Sequence, residues 1–99
     1  MNKLYVLIRR DLKSSAYQAV QAGHAVAQWL LHAPNRGEWK NETLVYTSVD
    51  NLNHLKYWQD RLKQMNIDYV TFTEPDIGNQ PTALAAACDG KVFKSLRLM

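Results

Sequence analysis

The segment LYVLIRRDLKSSAYQAVQAGHAVAQWLLH, Leu4 to His32, decides the fold class. Its first five residues, Leu4 to Ile8, are an unbroken apolar run rich in β-formers and bounded by charge. Such a run is too short for a helix and suits a strand covered on both faces. RRDLKSS makes a polar turn, and Ser14 or Ser15 can cap the next helix by accepting a hydrogen bond from an unpaired N–H. From Ser14 to His32, Tyr17, Gln21, His24 and Gln28 recur at steps of four, three and four, so they share one narrow stripe. Ala19, Gly23, Val26 and Leu30 fall on the opposite face. A buried strand thus feeds an apolar helix that carries one uncharged, hydrogen-bonding ridge.

Downstream, Pro34 and Gly37 end this helix and PNRGEWKNE forms a loop. Thr43 to Val49 reads as a second strand. Asp50 or Asn51 caps a second helix, from about Leu52 to Met65, with Leu52, Leu55, Trp58 or Gln59, and Leu62 inward. Ile67 to Thr73 alternates as a third strand, and EPDIGNQP is a turn-rich connection. Thr82 to Cys88 is Ala-rich, yet its place after a strand and a short turn argues for a buried strand over the helix that Ala prefers. Lys91 to Leu98 is expected as a short terminal helix, with Val92, Phe93 and Leu96 packing inward.

The expected fold is α/β, a single domain over residues 1–99 in the order β-α-β-α-β-β-α, with a mixed four-stranded sheet flanked by helices. Right-handed crossovers make the first three strands parallel, and the short connection makes the fourth antiparallel. The carboxyl ends of the parallel strands then share one edge, the usual place for sites in such sheets. RRDLK, the start of the first helix, TEPDIGNQP and Thr82 should converge there.

With 46% hydrophobic and 21% charged residues, the 99-residue chain has the composition of an ordinary soluble domain. No apolar run reaches the roughly 18 residues of a membrane span, and the N-terminal apolar run is too short for a signal peptide. A cytoplasmic protein without a membrane partner is the expectation. Cys88 is the single cysteine, so no internal disulfide can form, and its Ala-rich surroundings suit a buried strand better than a catalytic Cys–His pair. A net charge of +3 permits a polyanionic partner without demanding one.

No phosphate-binding glycine loop, G-x-S-x-G elbow or H-E-x-x-H motif is present, and His24, His32 and His54 lack metal-ligand spacing. Neither a metal nor another cofactor is expected. Polar residues nevertheless collect at the expected edge: Lys13, Tyr17, Gln21, Asp76, Asn79 and Thr82, with Glu74 close by. Taken alone, Asp76 and Asn79 are also what a turn requires. Gln21, an amide on a mostly apolar helix, needs a partner.

LYVLIRRDLK followed by VQAGHAVAQ, a Q-x-x-H-A motif, resembles the archaeal and eukaryotic type of peptidyl-tRNA hydrolase. EPDIGNQPTALAAA is similar to the acidic loop, threonine and buried strand near that family's C-terminal end. The resemblance spans nearly the whole chain and implies metal-independent hydrolysis of the ester joining a peptide to the 3′ ribose of tRNA. Carried across, it points to Gln21 and His24 on the helix, Thr82 at the start of the last strand, and an acidic residue, Asp76 being favoured over Glu74. Tyr17 stands where the family usually has a lysine, and Lys13 is the basic residue that remains nearby. The acidic loop is several residues shorter than usual, and one threonine within it has no clear counterpart.

The expected catalytic set is therefore Lys13, Gln21, His24, Asp76 and Thr82. Asp76 or His24 would act as general base, Gln21 would orient water, and Lys13, Thr82 and helix N–H groups would stabilise the oxyanion and departing oxygen. Arg9, Arg10, Lys13, Tyr17 and Asn79 are the expected contacts to tRNA. At about 1.5 Å per helical residue, Gln21 lies roughly 9 Å and His24 roughly 13 Å beyond the helix start, so Gln21 is better placed than His24 to reach the edge. The alternative is a non-catalytic module that keeps the fold and binds tRNA or a protein. A homodimer is a further partner that the resemblance admits, with Trp29, Trp39 and Trp58 available for an interface or for the core.

Overall fold

A computed structural model describes residues 2–99. Strand β1 (Lys3–Arg9) leads through a polar turn into helix α1 (Ser15–His32). Strand β2 (Leu44–Val49), helix α2 (Leu52–Gln64), strand β3 (Val70–Glu74), strand β4 (Gln80–Cys88) and a two-residue strand β5 (Arg97–Leu98) follow. The class is α/β, and the mixed sheet has five strands in the order β3-β4-β1-β2-β5. β1 and β2 are parallel, while β4 runs antiparallel to both β1 and β3. The first three strands therefore point the same way, although β4 separates β3 from the other two.

Local chemistry accounts for most boundaries. The Ser14 hydroxyl accepts from the Tyr17 N–H at 3.1 Å and starts α1, and Asn51 does the same for α2 through the His54 N–H at 2.9 Å. At the end of α2, Asn66 adopts a left-handed φ of 57°. The Ile67 N–H then closes back on the Leu62 carbonyl at 2.9 Å, and that of Asn66 on Lys63 at 3.1 Å. This is a Schellman cap built on asparagine. It absorbs Ile67 into the helix terminus, which is why β3 begins at Val70 and not at Ile67 as the alternation predicts.

The terminal helix expected over Lys91–Leu98 is absent. Val92, Phe93 and Leu96 do pack inward, but on successive turns that end in β5. Eight residues make a marginal helix, whereas the free edge of β2 offers unpaired backbone groups. β5 takes them up: Ser48 pairs with Arg97, Thr47 with Leu98, and the Met99 N–H donates to the Tyr46 carbonyl at 2.9 Å. Gly90 is needed at the start of this segment, since a Cβ there would lie 2.7 Å from the Tyr5 hydroxyl.

Two cores flank the sheet. On one face α1 packs through Ala22, Ala25 and Trp29 against Leu4, Val6, Ile8 and the small residues Ala83, Ala85 and Ala87 of β4. On the other, Leu55, Trp58 and Leu62 of α2, with Phe93, cover Tyr5, Leu7, Leu84 and Ala86. All three tryptophans lie in these cores. The inward face of α1 is also not the one its apolar residues suggest: Ala19, Gly23 and Leu30 face solvent, as do Val20 and Leu31. Alanines on both sides let helix and sheet approach closely, and that close packing seats the face containing Gln21.

Candidate active site

Gln21 is fully buried, at 0% exposure, as is Thr82. The Gln21 Nε2 donates to Glu74 Oε1 at 2.9 Å, and the Thr82 hydroxyl donates to Gln21 Oε1 at 2.6 Å. Glu74 Oε2 in turn accepts from the Asp76 N–H at 3.3 Å. A continuous chain of hydrogen bonds thus runs from β4 through α1 and the end of β3 to the turn that carries Asp76. The orientation of the Gln21 amide is forced: an ionised carboxylate only accepts, so Nε2 must face Glu74, and Oε1 is left to face the Thr82 hydroxyl as its donor.

Each residue reaches this point for a local reason. Val70 and Phe72 face α1, and strict alternation along β3 puts Glu74 on the same side. Ala83, Ala85 and Ala87 also face α1, so alternation along β4 would send Thr82 to the opposite face. The register instead slips between Phe72 and Thr73, pairing Phe72 with Ala83 and Thr73 with Pro81. Thr82 is the extra residue of this β-bulge, and the bulge re-aims its side chain toward Gln21.

Above the buried chain lies an open cleft of about 270 Å³ lined by Asp11, Leu12, Lys13, Tyr17, Asp76 and Ile77. Lys13 Nζ sits 4.7 Å from the centre of the Tyr17 ring, a cation–π contact. The Tyr17 hydroxyl is pushed above its ordinary range by desolvation and by the charges of Glu74 and Asp76, so it stays protonated at neutral pH. Glu74 is held below the usual carboxylate range, chiefly by the Gln21 amide and then by the Asp76 N–H, against the opposing effect of burial. It is an anion at neutral pH.

The structure therefore brings together Lys13, Tyr17, Gln21, Asp76 and Thr82 at the edge where the sequence places them. Glu74, weighed against Asp76 as the acidic residue, is the one bonded to Gln21, while Asp76 is exposed and faces the cleft. The alternation of β3 was the available signal for the inward side of Glu74. His24 does not line the cleft. Its ring stacks on Phe72, with centroids 4.3 Å apart and planes 5° from parallel. Asn79 holds a left-handed φ of 58° in the exposed turn before β4.

The basic residues divide. Arg9 is buried: it grips Asp11 with Nε and Nη2 at 3.0 and 2.9 Å, and its Nη1 donates to Gln80 Oε1 and the Pro81 carbonyl. This clamp ties the end of β1 to the start of β4, and it holds Asp11 below the usual carboxylate range mainly through the hydrogen bonds from Arg9. Arg10 lies on the other side of β1, in an ion pair with Asp50 at 2.7 Å. Cys88 is buried at the far end of β4, and desolvation, with the nearby Asp89 charge, pushes its thiol up to about 12. A neutral thiol there is a core group.

Among the described residues no three His, Cys, Asp or Glu side chains gather in a metal-binding group, and no helix is long and apolar enough to cross a membrane. Compared with models of known protein families and with curated proteins, the chain matches none.

Proposed function

We propose that the chain is a cytoplasmic peptidyl-tRNA hydrolase acting without a metal. The observation that carries the reading is the hydrogen-bond chain Thr82–Gln21–Glu74–Asp76, which ends beside a cleft also lined by Lys13 and Tyr17. It supports the site suggested by the Q-x-x-H-A resemblance and divides the labour within it. Asp76 and Lys13 face the cleft and are the groups able to touch substrate. Gln21, Glu74 and Thr82 are positioning residues, because they are buried and bond to one another and to the Asp76 backbone.

In this reading the ester carbonyl lies in the cleft. A water oxygen attacks its carbon while Asp76 takes the water proton. The Lys13 ammonium stabilises the oxyanion. As the tetrahedral species collapses, the carbon–oxygen bond to ribose breaks, and the proton held by Asp76 passes to the departing 3′ oxygen. Peptide carboxylate and free tRNA result. Tyr17, in the place of the family's usual lysine, holds Lys13 over the cleft.

Turnover of a purified peptidyl-tRNA by the pure protein tests this. Asp76→Asn should lower kcat by about 10²-fold or more, and Lys13→Met by about 10²-fold, both with the fold intact. Unaltered turnover in both variants would exclude the cleft as the site. Absence of hydrolysis alongside salt-sensitive tRNA binding would instead select a non-catalytic binding module.

For a homodimer the structure offers α1 and not the tryptophans. This helix contains no Asp, Glu, Lys or Arg, and Val20, Leu30 and Leu31 are exposed on its outer face. Two copies of a +3 chain would meet there without opposing like charges. Sedimentation of wild type and Leu31→Glu decides it: a dimer lost in the variant supports this face, and a monomer at all concentrations rules it out.

A further inference from the structure

At the same sheet edge, on the side away from the cleft, a second cavity of about 240 Å³ is lined by Arg10, Ser48, Asp50, His54, Ser95 and Arg97, with Leu96. Four separate elements build it: the residue after β1, the end of β2, the first turn of α2, and the segment entering β5. The β2–β5 register sets Ser48 directly opposite Arg97, and cross-strand partners share a face. The Asp50 carboxylate fixes Arg10 through the ion pair at 2.7 Å, leaving further guanidinium N–H groups free. The Asp50 backbone N–H donates to His54 Nδ1 at 2.9 Å. With Nδ1 taken up as an acceptor, Nε2 is the ring nitrogen left to act as a donor. Arg97 makes no ion pair among the described residues.

Donors dominate this cavity: two guanidinium groups, one imidazole N–H and two hydroxyls, against a single carboxylate already bound to Arg10. The space is smaller than the ~300 Å³ or more of typical small-molecule pockets. A compact, acceptor-rich anion fits it. From β4, where Thr82 lies, to β2 is two strand spacings, about 10 Å, and to β5 about 14 Å. That separation suits a few nucleotides of single strand with the 3′ end in the cleft. We infer that this cavity binds a phosphodiester of the tRNA 3′ strand, upstream of the ester, an assignment that rests on the hydrolase reading.

The test uses full-length protein and two probes: a labelled single-stranded oligoribonucleotide ending in CCA, and inorganic phosphate. Arg97→Gln and Arg10→Gln are compared with Lys91→Gln, which removes the same charge near the opposite edge of the sheet. Arg97→Gln should weaken oligonucleotide binding about tenfold and reduce the slope of log affinity against log salt by about one. Arg10→Gln should act in the same direction, and Lys91→Gln should change affinity less than twofold. For hydrolysis, KM should rise with kcat unchanged. Equal effects at Arg97 and Lys91, or none at Arg97 and Arg10, would overturn the site. Phosphate-induced amide shifts at Ser48, His54 and Arg97 without any effect of Arg97→Gln on the oligonucleotide would overturn the tRNA assignment in favour of free phosphate. Arg97-dependent oligonucleotide binding without hydrolysis would uphold this cavity and defeat the esterase reading.

Discussion

Thr82→Val is the sharpest probe of the buried chain. Valine has nearly the shape of threonine and is at home in a strand, so the change removes one hydroxyl and little else. That hydroxyl donates to Gln21 Oε1 at 2.6 Å, and both residues are at 0% exposure. Gln21 cannot compensate by turning its amide over, because Oε1 would then face the Glu74 carboxylate. One buried carbonyl oxygen is left without a donor, at a cost of about 1–3 kcal/mol. For a domain of this size the melting temperature should fall by about 5–20 °C. Thr82→Ser keeps the hydroxyl and should retain most of the lost stability. Urea and thermal unfolding of the two variants measure this. In a Gln21→Leu background there is no carbonyl to orphan, so the same Thr82→Val change should cost clearly less. The reasoning is refuted if Thr82→Val unfolds within about 0.5 kcal/mol of wild type, if serine fails to rescue, or if the two substitutions are additive. If the proposed hydrolase activity holds, turnover supplies a second readout: kcat should drop in Thr82→Val and recover in Thr82→Ser, because in that proposal the hydrogen-bond chain positions Asp76.

Glu74 has a folded-state pKa below its unfolded value, so its contribution to stability is present above the ordinary glutamate range and is lost as pH falls through the folded value. Urea midpoints measured from neutral to acid pH should therefore fall more steeply for wild type than for Glu74→Gln. The Cys88 thiol, at about 12, should resist iodoacetamide at pH 8 in the native protein and react once unfolded, and Cys88→Ala should leave peptidyl-tRNA turnover unchanged. Gly90→Ala places a methyl group 2.7 Å from the Tyr5 hydroxyl and should destabilise by about 1–3 kcal/mol, read by chemical denaturation.

The sequence alone determined those features set by neighbours along the chain. LYVLI fixes a buried strand, Ser14 or Ser15 and Asp50 or Asn51 mark the starts of the two helices, and the alternation of strands with helices sets the α/β class and brings Lys13, Tyr17, Gln21, Asp76 and Thr82 to one edge. Periodicity and capping are short-range, and they survive in the fold because packing agrees with them. What only the tertiary structure decided depends on partners distant in sequence. The side of α1 that is buried follows from the small Ala83, Ala85 and Ala87 of β4, not from the apolar residues of the helix itself. The last segment became β5 because β2 had an edge to fill. Glu74 joined Gln21 across 53 residues, and Thr82 turned to meet it only because β3 and β4 pair with a bulge. A register shift between two strands is a property of their pairing and leaves no mark in either strand's own pattern.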